Sequence, residues 1–236
     1  MRRLALLALI CSPAFGALAF VQAQNGGAQA SSTTRTTTAM ATTTGNTLVV
    51  GTRTNAACTT TTTVADTAGN TFYQVTAQEV SGNVCTRAFM AFNIVGHATD
   101  VVTMTMGSSL GFSYINVLEF SGTDRIAPRD MSISAGSSGT SCTTGAFSTF
   151  RADEVIVFIM QVSALAQTWT AGSGYTLASG AQDADHVIHA QYKIVSTNQT
   201  DVTASVTVAG GAIAMAGVSL RIPQSPGGPS NNSLIQ

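Results

Sequence analysis

Charge is scarce in this 236-residue chain. Only 9% of its residues are Asp, Glu, Lys or Arg, against about 25% in an ordinary soluble domain. Lys193 is the sole lysine, and the arginines are scattered. Binding of nucleic acid needs clustered cations to meet phosphate, so that class of partner is excluded. No segment sustains an apolar period of 3.6, which argues against helices. Aromatic residues make up 6%, with a single tryptophan, Trp169. Paired carboxylates for glycoside cleavage have no candidate: Asp153 and Glu154 are adjacent, so on a strand they point to opposite faces.

What is present is β-forming. Hydrophobic residues reach 44%, and the rest is dominated by Thr, Ser and Gly, a composition for strands packed against other protein. The start, MRRLALLALICSPAFGALAFVQAQ, has a basic head, an apolar run and small residues before a polar chain. These are the marks of an export leader over residues 1–23, with cleavage after Ala23 and Ala19 as second choice. The alternative is an uncleaved anchor, since Leu4 to Val21 is nearly long enough to cross a bilayer. No later segment is long and apolar enough to span. The mature chain is expected outside the cytoplasm, with Cys58, Cys85 and Cys142. In an oxidising compartment an odd number implies one bridge and a spare; Cys58 and Cys85, close in sequence, are the expected pair.

Residues 24–44 are Gly, Ala, Ser and Thr with little to bury, fitting a flexible lead or an edge strand. Beyond them the chain repeats itself at an offset of one hundred. AFMAFNIV (88–95) lies over IHAQYKIV (188–195), setting Phe92 over Tyr192. VTMTM (102–106) lies over VTASV (202–206), and Leu118 and Phe120 lie over Val218 and Leu220. Val102, Met104 and Met106 alternate with threonines, the pattern of a half-buried strand. Residues 113–121 and 212–222 are apolar on both faces, as central strands are. The expected fold is all-β: about ten strands in one jelly-roll-like sandwich over 45–222. Its halves are 45–122 and 153–222, joined by a Gly/Ser/Thr-rich connector at 123–152. The tail at 223–236 reads as disordered.

GNTLVVGT, VADTAGNTF, AFNIVG, VLEFSG, GSGYTL and AQYKIVS together resemble a secreted β-sandwich module of bacterial extracellular and cell-surface proteins, over about residues 45–222. The resemblance implies a sandwich at the cell exterior and no established activity. Cys58, Cys85 and Gln191, where an acidic residue is expected before Tyr-Lys, depart from it.

Three constellations carry possible chemistry. Gly107-Ser108-Ser109-Leu110-Gly111 matches the nucleophile elbow, which needs a strand-to-helix turn; here it links two strands and reads as a hairpin loop. Asp183, Asp185, His186 and His189 are the densest set of metal-ligand types. On a strand His186 and His189 face opposite ways, so only a loop gathers them. His97 reads as a loop residue. Trp169 and Tyr175 form an aromatic pair for stacking on a sugar ring, or a cap on the core. The leading expectation is a non-catalytic secreted sandwich with a structural or adhesive role and no cofactor. It self-assembles through the lead or meets a cell-surface or matrix partner, with no transmembrane segment in the mature chain. A glycan-binding module using Trp169 and Tyr175 and a metal-dependent hydrolase around Asp185 and His186 are the alternatives.

Overall fold

The computed structural model describes residues 16–55 and 58–223. What was expected of residues 1–15 and of the tail from 224 onward lies outside the described residues. Among those described there is no helix, and seventeen strands run in antiparallel sheets. The first nine are β1 (Ala19–Ala28), β2 (Ser32–Thr36), β3 (Thr47–Thr54), β4 (Thr62–Asp66), β5 (Tyr73–Gln74), β6 (Glu79–Ser81), β7 (Val84–Phe92), β8 (Val102–Leu110) and β9 (Ser113–Ser121). The remaining eight are β10 (Arg129–Ser138), β11 (Ser141–Thr143), β12 (Glu154–Val162), β13 (Thr170–Ala171), β14 (Thr176–Leu177), β15 (Ile188–Val195), β16 (Ser205–Thr207) and β17 (Ala212–Arg221).

The strands form four layers. A three-stranded sheet, β2-β8-β4, covers one face of a larger sheet, β1-β9-β3-β7-β5, with β6 also on β7. A second large sheet, β10-β17-β12-β15-β14, is covered by β11-β16-β13. With β6 set aside, numbering each half's eight strands along the chain gives the same orders twice: 1-8-3-6-5 and 2-7-4. The all-β sandwich class therefore holds, but there are two sandwiches where one of about ten strands was expected. Their large sheets pack face to face, so neither leaves its second apolar face wet.

Burial follows from the layering. Alternation in β8 puts Met104 and Met106 inside and Thr105 outside, as a sheet with one wet face requires. β3, β9, β12 and β17 lie in the inner layers and are buried along almost their whole length. Leu48, Val50, Ile115 and Val117 meet β8's methionines in the first sandwich. From the opposite face of the same strands, Val49, Leu118 and Phe120 join a larger cluster with Val155, Val157, Ile159, Val218 and Leu220. Phe92 and Tyr192 pack against that cluster too. The hundred-residue offset thus pairs side chains that line one interface.

Two glycines permit close approach. A Cβ on Gly51 would fall 2.2 Å from Ile159 of the other sandwich, and one on Gly217 would fall 2.2 Å from the Phe158 ring.

Of the two readings of the Thr-rich lead, the edge strand holds: β1 pairs with β9 and β2 with β8, each at the end of its sheet. One further expectation is corrected. The connector at 123–152 contains β10 and β11, which take in the second sandwich the places of β1 and β2 in the first. Main-chain pairing, which needs no apolar side chain, builds both.

Candidate functional site

Most of the chemistry-bearing residues singled out in the sequence gather at one pole. There β12 ends, β15 begins, and the segment 178–187 of the second sandwich reaches the first. Asp183 is buried and organises this segment. Its Oδ1 accepts the N–H groups of Val187 and Ile188, each at 2.8 Å, and its Oδ2 that of Asp185 at 2.9 Å. Burial raises its pKa despite those three donors.

Asp185 faces the first sandwich. It accepts the Tyr114 hydroxyl at 2.5 Å and the Gln29 amide at 2.9 Å, and these bonds lower its pKa. Tyr114 is raised above the ordinary phenol value, first by its own burial and then by Asp185. Arg53 of β3 is almost wholly buried. Its guanidinium lies 5.4 Å from the Tyr114 ring centre and donates to the carbonyls of Phe112 and Val162. Burial brings it down to about 10.

The seam continues along the sheets. Asn25 donates to the carbonyls of Gly180 and Gln182, at 2.8 and 2.7 Å. From the other side, Gln161 donates to the Thr52 carbonyl and the Thr86 hydroxyl. Every oxygen of the Asp183 and Asp185 carboxylates accepts at least one hydrogen bond from within the protein. Among the described residues no group of three or more His, Cys, Asp and Glu could hold a metal ion. The loop that was to gather Asp183, Asp185, His186 and His189 does not turn them toward one point. His186 is exposed with φ of 59°. His189 is buried in β15, its Nδ1 accepting the Ala190 N–H at 2.8 Å, and burial lowers its pKa to about 4. A shallow hollow of about 250 Å³ beside Asp185 and His186 is lined by Leu165, Ala166 and Ala184.

The aromatic pair is also reassigned. Trp169 is 6% exposed, donates its indole N–H to the His186 carbonyl at 3.1 Å, and meets His189 edge-on. It offers no open face to a sugar. Tyr175 is half-buried against Phe158, with the Lys193 ammonium 6.0 Å from its ring. The aromatic pair that does face solvent is Tyr73, 54% exposed, and Phe92, with ring centres 6.0 Å apart and planes 27° apart. They line a groove of about 330 Å³ with Gln74, Pro128 and Arg129. Nothing local in the sequence tells an edge-strand tyrosine such as Tyr73 from a core one.

Ser108 and Ser109 stand exposed on β8, which turns directly into β9; Ser108 donates to the Thr60 hydroxyl at 3.2 Å. His97 is half-buried in a loop, its Nδ1 accepting the Thr99 N–H. Cys58 and Cys85 form the expected disulfide, with Cα atoms 5.0 Å apart, and Cys142 is a buried free thiol. Gln191, the departure from the acidic residue, is buried and bridges the Gly172 N–H and the Ser205 carbonyl. One group went unforeseen. Glu154 is fully buried; neither oxygen makes a hydrogen bond of normal geometry, although the Asp130 carboxyl and the Ser219 hydroxyl lie close enough to act on it. Burial, and then the neighbouring Asp130 carboxyl, raise its pKa to about 8.

No protein-family model, no curated protein and no solved structure matches this chain.

Proposed function

We propose that the chain is an exported, non-catalytic double β-sandwich with a structural or adhesive role at the cell surface. The observation that carries this reading is the engagement of the polar pole. Arg53, Tyr114, Asp183 and Asp185, the residues best suited to chemistry, hold segment 178–187 and the two sandwiches together. A disulfide favours an oxidising compartment, and no described helix is long and apolar enough to cross a membrane. Fractionation of cells expressing the full chain with its leader tests the reading. Surface or medium recovery with the Cys58–Cys85 bond closed is expected; cytoplasmic retention with free thiols ends it.

Self-assembly through the lead requires exchange of strands that here pair within the chain. β1 is an edge strand, so a second copy's β1 meets the same β9 partner groups. Sedimentation across a wide concentration range tests this, and a monomer throughout removes it.

A second reading, glycan binding, is favoured by the exposed Tyr73–Phe92 pair rather than by Trp169 and Tyr175. Flat rings beside Gln74 and Arg129 suit a sugar's apolar face and hydroxyls. Retention on a polysaccharide panel that is lost in Tyr73→Ala supports it; no retention by the unaltered chain disposes of it.

A further inference from the structure

We infer that the leader is removed at the bond between Ala19 and Phe20, not after Ala23, and that the mature chain therefore begins with β1 almost whole. The inference rests on the export reading above. It joins a pattern in the sequence to the use the fold makes of residues 20–23.

Those four residues are part of the first sandwich. Ala23 is buried and pairs with Leu118 within the β1–β9 ladder. Gln22 donates to the Glu119 carboxylate at 2.6 Å. Glu119 is fully buried, and its other oxygen takes the Thr43 N–H at 2.8 Å and the Asn46 amide at 2.6 Å. Phe20 stacks on Tyr192 of the second sandwich at 4.8 Å and meets Phe120 edge-on at 5.8 Å. A cut after Ala23 strips β9 of its partner from Leu118 to Ser121. It also withdraws a donor from a buried carboxylate and a ring from the interface. Each loss exposes or orphans a group that the fold otherwise satisfies.

Upstream the fold asks for less. Ala17 is exposed, and what residues 16–19 contribute is less: the Ala19–Ser121 pairing, the exposed Ser121 hydroxyl on the Ala17 carbonyl, and Leu18, partly buried against the margin of the large cluster. Ala17-Leu18-Ala19 has alanine at both positions a leader peptidase reads, the first and third before the cut, whereas Val21-Gln22-Ala23 has valine at the third. Cleavage acts on the extended chain during export, so later burial does not block it. Water adds across the peptide bond: the hydroxyl joins the Ala19 carbonyl carbon, the C–N bond breaks, and Phe20 leaves with an α-ammonium. Nothing is oxidised or reduced.

The test is the intact mass and N-terminal sequence of protein exported by cells carrying the full chain. A start at Phe-Val-Gln-Ala is expected. Exported protein starting at Gln24, or at any other residue, overturns the inference while leaving export intact. An unprocessed chain kept in the cytoplasm overturns the export reading, and this inference with it. Ala17→Phe places a bulky ring at an exposed position three before the cut, so folding is spared. Precursor accumulation is expected, and undiminished processing counts against the assignment. Chains begun at Phe20 and at Gln24 supply an independent measure. The shorter should melt at the lower temperature; equal melting removes the structural half of the argument.

Discussion

Between β3 and β8 the first sandwich is filled mainly by methionines and aliphatic side chains, Met40, Met104, Met106, Leu48 and Val50, with one buried ring, Phe89, and Phe72 packed at the margin. The corresponding space of the second holds rings, with Phe158 against Phe147 at 5.9 Å and against Tyr175 at 5.8 Å. One strand order thus tolerates two solutions. The methionine-lined interior is closed by a disulfide and by strands from the lead. The ring-lined one, with larger side chains to bury, keeps its cysteine free. The same contrast appears in the buried glutamates. Glu119 has three N–H donors from Gln22, Thr43 and Asn46, whereas neither oxygen of Glu154 makes a well-formed hydrogen bond, with only the Asp130 carboxyl and the Ser219 hydroxyl nearby. The two glutamates sit on non-equivalent strands, β9 and β12, and in each case the neighbours decide what burial costs.

The comparison breaks most sharply at the N-terminal strands. Deleting residues 19–36 removes β1 and β2, and the first sandwich should lose cooperative unfolding while β10–β17 retain theirs. A single unchanged transition by circular dichroism and calorimetry would show that the lead is dispensable. Phe158→Ala should cost about 3–5 kcal/mol and Met104→Ala about 2–3 kcal/mol, since ring removal leaves the larger void. Denaturant melts giving the reverse order would refute the assignment of which interior depends more on large side chains. Replacing Cys58 and Cys85 with alanine should cost about 2–4 kcal/mol, with exchange protection lost in β3 and β7 but kept in β12 and β17.

Glu154 gives the smallest effect and a distinctive one. The folded chain holds its proton to about pH 8, while the unfolded carboxyl releases it near 4.5. Stability from this group is therefore complete below pH 4.5 and lost as pH rises toward 8. Glu154→Met should flatten that slope and stabilise the protein at pH 8 by about 1–3 kcal/mol, the usual penalty of a buried polar group without a well-formed hydrogen bond. Melting curves at pH 5 and pH 8 decide it.

Much of this architecture was legible in the residues. Val102, Met104 and Met106 announced a half-buried strand by alternation, and β9 and β17 announced inner strands by being apolar on both faces. The disulfide followed from compartment and chain proximity. The connector was misread, and the lead left open between a flexible segment and an edge strand, for a common reason. In β2 only Arg35 is buried, its guanidinium donating to the Ser113 carbonyl at 2.9 Å; in β10 serines and glycines pair with β17 through the main chain. Such strands are made by their partners, and no local pattern marks them. The metal-ligand cluster failed differently. Asp183 and Asp185 do lie in a loop, as the reading required, but main-chain N–H groups and Tyr114 take up their oxygens. Residue type gives the capacity to bind, and only tertiary placement shows that the capacity is already used. Adjacent Asp153 and Glu154 do separate, one exposed and one buried; that the buried one lacks a well-formed hydrogen bond was beyond any pairwise rule.

The first and last described residues come together: Gly16, Ala17 and Leu18 line one hollow with Ile222 and Pro223, alongside Ile194 and Val195. By the direction of β12 and β17, this is the pole opposite Asp185 and His186. Phe20, where the mature chain is proposed to begin, pairs with Phe120 at this same pole, so a tether through either end would carry its tension here. Leu165, Ala166 and His186 are exposed at the opposite tip, farthest from the first and last described residues, and such a tether would leave that tip free of load.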